Sequence, residues 1–344
     1  MRLEIEDLTV GYQTSEGTVR AVNDISFTLE EGQQMGLVGE SGCGKTTIAK
    51  SIVGLLPENG EVLNGSIRMV EESTDLDLNL VETTPAELRD IRWDELAMVS
   101  QSAMNGLDPV YTIGDQIREA IQIHEDTSDE VAIERAENLL DQVGIDKERV
   151  DSYPHQLSGG MRQRAMIAMS LALDPSIIIA DEPTTALDVI TQDHILAQID
   201  RLSQDHGNSL LMITHDISVV SETCDRVGVM YAGELVEEGP IEEVFVQPEH
   251  PYTQGLLNAF PSLAGESSDL ITIRGEPPDL IERARGCQFY ERCPYSEERC
   301  KLENPPLSPR GSDRRARCFV TDDGADIGER YEHAVQETDR WQKL

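Results

Sequence analysis

The feature that most constrains this sequence is a glycine-rich stretch at residues 39–47, which reads GESGCGKTT. It matches the pattern G-x-x-x-x-G-K-[ST], in which backbone N–H groups cradle the phosphates of a nucleotide. The apolar run at residues 35–38 predicts a buried strand before it, and residues 46–53 predict a helix after it. The glycines therefore fall on a strand-to-helix turn, where the N–H groups of the helix N-terminus point at phosphate oxygens. We predict a phosphate-binding loop here rather than an accidental turn.

Side chains near this loop provide the chemistry that a bound phosphate needs. Lys45 is suited to neutralise the β and γ phosphates, and the Thr46 hydroxyl can ligate Mg²⁺. Farther along, the apolar run at residues 176–180 predicts a buried strand that ends at Asp181 and Glu182. Carboxylates at the end of a buried strand are costly unless they bind a metal or are otherwise paired. We therefore predict Asp181 as a Mg²⁺ ligand and Glu182 as the general base for an attacking water.

The charge balance limits the possible partners. The chain has 344 residues, with 28 Lys+Arg against 65 Asp+Glu and a formal net charge of −37. Nucleic-acid binding depends on many Lys and Arg, so this balance argues against a nucleic-acid partner. The acidic residues are dispersed, which indicates a solvated surface adapted to a cytoplasm of very high salt, a halophilic setting; an acidic protein of ordinary salt is the alternative. Neither a membrane span nor a signal peptide is evident, so we expect a cytosolic polypeptide.

The N-terminal third predicts strands around the loop. Alternating apolar and polar residues at 3–9 and 21–29 are typical of half-exposed antiparallel strands. Tyr12 is predicted in a loop between them, where its ring either fills space or stacks on an adenine. Residues 71–90 are acidic and polar, and we predict that they are rich in loops.

The middle of the chain predicts a helical insertion between two strands. A short strand at 97–99 delivers Gln101 into a loop, and residues 112–145 predict two amphipathic helices. A further apolar strand at 209–213 ends just before His215. A histidine delivered by a strand end in a phosphate-loop fold is well placed to reach the γ phosphate.

A second anion site is predicted at Ser158, Gly159 and Gly160, which open a helix at residues 161–173. The first-turn N–H groups of a helix are unsatisfied, and the two glycines leave them uncovered. Simple helix capping by Ser158 is the alternative, but capping alone does not require two glycines.

Taken in this order, these segments resemble the ATP-binding cassette of ABC transporters over residues 1 to about 245. The resemblance implies an α/β fold with an ABC-type P-loop NTPase core, in which a mixed sheet is flanked by helices. It also implies an antiparallel β subdomain and an inserted α-helical subdomain at about 102–170. A small cysteine-containing C-terminal domain at 246–344, with an acidic tail, completes the expected organisation.

The resemblance implies roles for individual residues as well, with ATP and Mg²⁺ as ligands. The implied ATP-binding residues are Tyr12, Gly39, Ser41, Gly42, Cys43, Gly44, Lys45, Thr46 and Thr47. The implied catalytic residues are Glu182, His215, Lys45, Gln101 and Asp181. The implied Mg²⁺ ligands are Thr46, Gln101 and Asp181. In this family the signature of one subunit closes on ATP held by another, so the residues implied to act in trans are Ser158, Gly159, Gly160 and Asp188.

Residues 153–156, 230–233 and 250–257 look like the dipeptide and oligopeptide importer branch of that family. This resemblance implies an ATP-hydrolysing subunit, peripheral on the cytoplasmic face of the cell membrane, that couples hydrolysis to the uptake of di- and oligopeptides. The implied partners are two transmembrane permease subunits, a second ATPase subunit that is a paralogue more often than an identical copy, and, indirectly, an external solute-binding protein. The alternatives are an importer of sugar or nickel and a soluble ABC-class ATPase of DNA repair or translation.

Four cysteines lie close together near the C-terminus in the spacing C-x5-C-x6-C-x17-C. This spacing differs from the paired C-x2-C of a zinc ribbon, whereas four thiolates in a reducing compartment suit an iron–sulfur cluster. The motif recurs in the peptide-importer branch, and the resemblance implies a [4Fe–4S] cluster held by Cys287, Cys293, Cys300 and Cys318. Zinc, disulfides and free thiols are the alternatives, and a redox or sensory role for this domain is another. Residues 321–344 are predicted as a short acidic helix or as disordered.

Overall fold

The computed structural model describes residues 1–100, 106–184, 207–258, 275–281 and 285–322, with the single residues 192, 195, 196, 199, 201, 203 and 273. Two of the predicted site residues, Gln101 and Asp188, lie outside the described residues, as does the tail at 323–344.

The elements of the described residues are as follows, in chain order. The strands are β1 (Arg2–Thr14), β2 (Gly17–Leu29), β3 (Gln34–Val38), β4 (Gly60–Glu71), β5 (Leu76–Asn79), β6 (Leu96–Val99), β7 (Ile177–Asp181), β8 (Ser209–Thr214), β9 (Arg226–Tyr231), β10 (Glu234–Pro240), β11 (Ser308–Arg310) and β12 (Arg314–Ala316). The helices are α1 (Lys45–Ile52), α2 (Pro85–Ile91), α3 (Ile113–His124), α4 (Asp129–Gln142), α5 (Gly159–Ser170), α6 (Ile217–Thr223), α7 (Ile241–Val246), α8 (Pro251–Asn258), α9 (Glu298–Leu302) and α10 (Phe319–Asp322). Short 3-10 turns lie at Lys147–Asp151, Pro154–Gln156 and Tyr290–Arg292.

An antiparallel sheet with the strand order β2-β1-β4-β5 contains the N-terminal strands. Alternate residues of β1, including Leu3 and Ile5, are buried on its core face, which is the period-two pattern expected of a half-exposed strand. The strands predicted at 3–9 and 21–29 are confirmed, although both are longer. The prediction that Tyr12 lies in a loop is wrong, because β1 continues through it.

The prediction of loops at residues 71–90 is also wrong. Strand β5 pairs with β4, and α2 follows with Thr84 as its N-cap. The Thr84 hydroxyl accepts from the Glu87 N–H, and the Glu87 carboxylate accepts from the Thr84 N–H at 2.9 Å. This capping box, with Pro85 at the first helical position, fixes the start of α2.

The second sheet is mixed, with the strand order β11-β12-β10-β9-β3-β8-β7-β6. Its strands β9, β3, β8, β7 and β6 run parallel, and every residue of β3, β7 and β8 is buried. Continuous apolar runs are typical of such strands because helices cover both faces. The carboxyl ends of β3, β7 and β8 meet at one edge of the sheet, so this edge is where a ligand is expected.

Helices α3 and α4 confirm the two amphipathic helices predicted at 112–145. They pack on each other and on α5, which confirms the helix predicted at 161–173 with a start at Gly159. Their buried faces join a core that includes Ile117, Ile121 and Leu140. This helical layer contains the predicted second anion site at the start of α5.

The C-terminal residues extend the mixed sheet. Strand β12 pairs with β10 in antiparallel register and carries β11 on its other side. Tyr231 of β9, Tyr252 of α8 and Phe289 form a buried aromatic cluster, with ring centroids 4.7 to 5.5 Å apart. In the described ranges no helix is long and apolar enough to cross a bilayer.

Candidate nucleotide-binding site

The predicted phosphate-binding loop connects the end of β3 at Val38 to the start of α1 at Lys45. Gly39 and Gly44 have φ angles of 154° and 106°, in the region that favours glycine. A Cβ atom on Gly39 would lie 2.2 Å from the Met230 carbonyl oxygen, and one on Gly44 would lie 2.2 Å from that of Ala21. Both positions therefore require glycine for conformational and for steric reasons. The loop is pressed against β9 and β2.

The Lys45 ammonium group is held inside the loop. Its Nζ donates to the carbonyl oxygens of Gly39 at 2.7 Å and Glu40 at 3.0 Å, and it lies 3.6 Å from Cys43 Sγ. Lys45 is only 5% exposed, so these oxygens replace the water that would otherwise solvate its charge. An anion that enters the loop would compete with the two carbonyls for this ammonium group. The positive charge of Lys45 therefore lies where the phosphates are predicted to bind.

Two of the predicted Mg²⁺ ligands are in contact. Thr46 Oγ1, at the start of α1, donates to Asp181 Oδ1, at the end of β7, over 3.1 Å. Asp181 is 1% exposed, and this burial raises the pKa of its carboxyl group. The Thr46 hydrogen bond acts in the opposite direction, and the charge of Glu182 raises the pKa further. A divalent cation at this carboxylate would stabilise its ionised form.

The predicted general base lies beside the predicted histidine. Glu182 Oε1 is 3.2 Å from His215 Nδ1, and the Glu182 N–H donates to the Ile213 carbonyl at 2.8 Å. Glu182 has a φ of 46°, a left-handed conformation that is strained for this residue type. The strand-end turn therefore directs the side chain toward His215. Sequence reasoning found both residues but not their contact, because nothing in their spacing encodes it.

Tyr12 lies beside the start of α1. Its hydroxyl is 3.0 Å from Thr47 Oγ1, and a Cβ atom on Gly60 would lie 2.8 Å from its ring. The ring thus packs on the backbone of Gly60, and the Tyr12 hydroxyl adds a contact between the antiparallel sheet and the start of α1.

The predicted second anion site is a helix N-terminus on the surface. Ser158 is the N-cap of α5, and its Oγ accepts from the Met161 N–H at 3.3 Å. A Cβ atom on Gly159 would meet no atom within 4 Å, so the space in front of this helix start is open. The capping role of Ser158 is confirmed, and the first turn stays accessible to a group from outside the chain.

The four cysteines of the C-terminal motif are close to one another but do not form a metal site. In the described ranges, no group of three or more His, Cys, Asp or Glu side chains is arranged to hold a metal ion. All four thiols are free of disulfides. Burial raises the pKa of Cys287 to about 12, and the neighbouring Cys318 and Cys300 add to this increase. Since no such arrangement is found in the described ranges, the structure does not support the predicted [4Fe–4S] cluster.

Two family models match the chain. The ABC transporter family matches residues 22–185, and the C-terminal region of oligopeptide/dipeptide transporters matches residues 236–300.

Curated relatives match nearly the full chain. An oligopeptide transport ATP-binding protein, OppD, of Haemophilus influenzae is 41% identical over 93% of this chain and 97% of its own length. OppD of Salmonella typhimurium is 43% identical over 92% of this chain and 93% of its own. A putative peptide import ATP-binding protein of Brucella abortus is also 43% identical, over 92% of this chain and 94% of its own.

Solved structures share the fold. A dimeric ATP-binding cassette, MJ0796, in a post-hydrolysis state with ADP and phosphate has a TM-score of 0.62 and 27% identity, and the match covers 70% of this chain and 98% of that one. The protein cbiO1 from Clostridium perfringens, part of the ABC transporter complex cbiONQ, has a TM-score of 0.59 and 26% identity, over 72% of this chain and 91% of its own. The expected fold class is confirmed.

Proposed function

The chain belongs to the ATP-binding, ATP-hydrolysing subunits of ABC transporters, and from this premise we propose that it powers the import of di- and oligopeptides. Its similarity to OppD proteins over nearly the whole chain supports this substrate class. The match of residues 236–300 to the C-terminal region of oligopeptide/dipeptide transporters is the single observation that carries it. Import of sugar or nickel is the alternative for the same machinery.

The geometry supports a division of chemical roles among the site residues. Lys45 would exchange its two loop carbonyls for phosphate oxygens, and Thr46 and Asp181 would hold Mg²⁺, which would supply positive charge against the charge that develops on the γ phosphate. Glu182 orients and deprotonates the water for in-line attack. His215, in contact with the Glu182 carboxylate, keeps that carboxylate in place. Gln101 is proposed as a further Mg²⁺ contact.

We assign the open N-terminus of α5 to ATP bound by a second cassette. Ser158, Gly159 and Gly160 open this helix, the space beside Gly159 is open, and the post-hydrolysis MJ0796 cassette with the same fold is a dimer. Asp188 is proposed to contact the same partner, which we propose is a paralogue of this chain. Two chains then complete each other's sites.

A cavity of about 550 Å³ beside the helical layer is the proposed docking site for a cytoplasmic segment of a permease subunit. It is lined by Arg89, Arg92, Trp93 and Tyr111, and by Ile123 of α3, which is 71% exposed. An apolar side chain that exposed, in a cavity lined by two arginines and by the carboxylates Asp108 and Glu119, suits an amphipathic helix that carries charges of both signs. An Ile123→Asp variant is expected to lose the permeases on purification, while the matched Val246→Asp variant, at a position that is 85% exposed on α7, keeps them.

Purification of the full-length chain from its own membranes tests the proposed function. Integral membrane permeases are expected to co-purify, and uptake of a labelled peptide is expected to stop when Lys45→Ala replaces the wild type. If ribosomes or nucleic acid co-purified in place of permeases, the chain would be a soluble ATPase of translation or DNA repair. Co-purification with permeases but uptake of sugar or nickel alone would contradict the peptide assignment. We also propose that the chain is peripheral on the cytoplasmic face of the cell membrane.

We propose domain boundaries at 1–245 and 246–344, with the helical subdomain at about 102–170. The separate family matches at 22–185 and 236–300 support the division. Since β11 and β12 extend the main sheet through β10, the C-terminal part shares a framework with the nucleotide-binding part.

The [4Fe–4S] cluster on Cys287, Cys293, Cys300 and Cys318 is kept as a proposal that rests on the motif spacing and the family resemblance. Anaerobic preparations are expected to contain iron and acid-labile sulfide and to absorb broadly in the visible range. A colourless anaerobic preparation that contained zinc, or no metal, would contradict it.

We propose, on charge alone, that the protein works in a high-salt cytoplasm.

A further inference from the structure

An ion pair joins the cysteine-containing segment to the phosphate-binding loop. Arg292 donates from Nη1 to Glu40 Oε2 at 2.8 Å and from Nη2 to Glu40 Oε1 at 2.9 Å. Glu40 is the second residue of the loop at 39–47, and Arg292 immediately precedes Cys293 in the chain. Such a two-point pairing fixes the orientation as well as the distance of the two groups. The C-terminal segment thus holds a loop residue that is 252 positions away.

The Arg292 side chain is itself fixed by the aromatic cluster. Its Nη1 also donates to the Tyr231 hydroxyl at 3.1 Å, and its guanidinium carbon lies 5.6 Å from the centre of the Tyr231 ring. Tyr252, which packs on Tyr231 and Phe289, accepts from the Glu40 N–H at 2.9 Å. Glu40 is therefore held at its N–H by Tyr252 and at its carboxylate by Arg292. Its carbonyl accepts from Lys45.

The ion pair between Arg292 and Glu40 is expected to affect the binding of ATP, because Glu40 belongs to the phosphate-binding loop. The Glu40 carbonyl is 3.0 Å from the Lys45 ammonium that would neutralise the phosphates, so Glu40 is part of the loop that would surround them, and its carboxylate acts electrostatically on Cys43 in the same loop, whose thiol pKa it helps to raise. A carboxylate there repels a triphosphate unless a cation pairs with it. Arg292 is 8% exposed and Glu40 25% exposed, so solvent screens this pair only in part.

We propose that Arg292 is a positioning residue for ATP binding, which neutralises Glu40 and holds the phosphate-binding loop in shape from the C-terminal segment. The inference rests on the proposed role of residues 39–47 in binding ATP. It gives the C-terminal region a direct part in the nucleotide site.

Equilibrium titration of the full-length chain with MgATP tests the proposal, with the unfolding midpoint recorded for each variant. Arg292→Gln is expected to weaken ATP binding about tenfold, because it leaves the Glu40 carboxylate unpaired in the phosphate-binding loop. Glu40→Gln breaks the same ion pair but removes the repelling charge, so it is expected to bind ATP at least as tightly as the wild type. The double variant is expected to bind ATP more tightly than Arg292→Gln alone.

The matched control is Arg226→Gln, which removes another partly buried arginine that pairs with the C-terminal part. Arg226 contacts Asp313 at 2.7 Å and Glu238 at 3.4 Å, and it is 16% exposed. Its loss is expected to leave ATP affinity unchanged. Arg292→Lys, which keeps the charge, is expected to recover most of the affinity and serves if Arg292→Gln does not fold.

Two results would overturn the inference while the proposed ATP site stands. One is an Arg292→Gln variant with wild-type ATP affinity. The other is equal weakening by Arg292→Gln and Glu40→Gln, which would indicate a structural ion pair only. If the wild-type chain failed to bind ATP, or if Lys45→Ala bound it equally well, the proposed site itself would be wrong.

Discussion

Asp181 is a buried carboxylate that receives a hydrogen bond from Thr46 in the structure. Burial raises the pKa of Asp181, and the Thr46 hydroxyl partly offsets this by stabilising the charged form. The residue proposed to bind Mg²⁺ thus receives a hydrogen bond from a second residue proposed to bind the same ion, and this bond favours its ionised form.

Replacement of Thr46 tests this pairing. Thr46→Ala is expected to raise the Mg²⁺ concentration for half-maximal ATP hydrolysis about tenfold, because it removes a ligand and leaves Asp181 without the hydroxyl donor. Thr46→Ser keeps the hydroxyl and is expected to stay close to the wild type. Activation curves with Mg²⁺ at saturating ATP measure the effect. Identical curves for Thr46→Ala and the wild type would remove Thr46 from the Mg²⁺ site.

Single residues of the site were predictable where a motif fixes both type and spacing. Lys45 follows from the glycine-rich pattern, and Glu182 follows from an acidic end on an apolar strand. The pairing of Arg292 with Glu40 was not predictable, because two residues 252 positions apart meet only when the whole sheet has formed. The contact of His215 with Glu182 depends likewise on the order of β7 and β8 in the sheet.

At the scale of elements, α8 begins next to a buried histidine. His250 is 2% exposed, and burial lowers its pKa to about 3, with a smaller effect from the charge of Arg317. Its Nδ1 accepts from the Tyr252 N–H at 3.0 Å, which requires an unprotonated nitrogen. The start of α8, and with it the Tyr252 hydroxyl that contacts the phosphate-binding loop, therefore depends on neutral imidazole.

This dependence predicts a loss of stability in acid. His250 is protonated near pH 6.5 in the unfolded chain but not in the folded chain. Its contribution to the free energy of unfolding is therefore fully present above about pH 6.5 and is lost as the pH decreases toward about 3. From about pH 7 to about pH 5.5 the wild type is expected to lose about 1 kcal/mol more unfolding free energy than His250→Gln. Urea unfolding at both pH values measures this difference. An equal loss in the two proteins would show that His250 is not buried in neutral form.

Elements were predictable where the hydrophobic period was strong. The buried strands β3, β7 and β8 and the helices α3 and α4 follow from their apolar patterns. The prediction failed at residues 71–90 because it relied on their acidic and polar composition. A helix-start signal is present there, since Thr84, Pro85 and Glu87 form the capping box that begins α2. Tyr12 was misplaced because the alternating pattern was followed only to residue 9, whereas β1 continues to Thr14.

The whole molecule carries a formal net charge of −37, which must be tolerated in the folded state. At about 0.1 M salt the screening length is about 10 Å, and at about 1 M it is about 3 Å, so repulsion between surface carboxylates largely disappears at the higher value. If the protein is adapted to high salt, its stability depends on this screening.

Thermal unfolding in KCl tests this adaptation. Between about 0.1 M and 2 M KCl the unfolding midpoint is expected to rise by about 5 °C or more. A variant with three exposed carboxylates of the α4 region neutralised, Glu130→Gln, Glu134→Gln and Asp141→Asn, is expected to depend less on salt. A midpoint that stays constant or falls with KCl would favour the alternative, an acidic protein of ordinary salt.

The central claim is that ATP held by residues 39–47 is hydrolysed by a water that Glu182 activates. The most direct measurement combines MgATP binding and ATP turnover in the Glu182→Gln variant, with the wild type as reference. We predict that ATP still binds with an affinity similar to that of the wild type, while turnover falls about 100-fold or more. Steady-state hydrolysis at the wild-type rate in that variant would contradict the account.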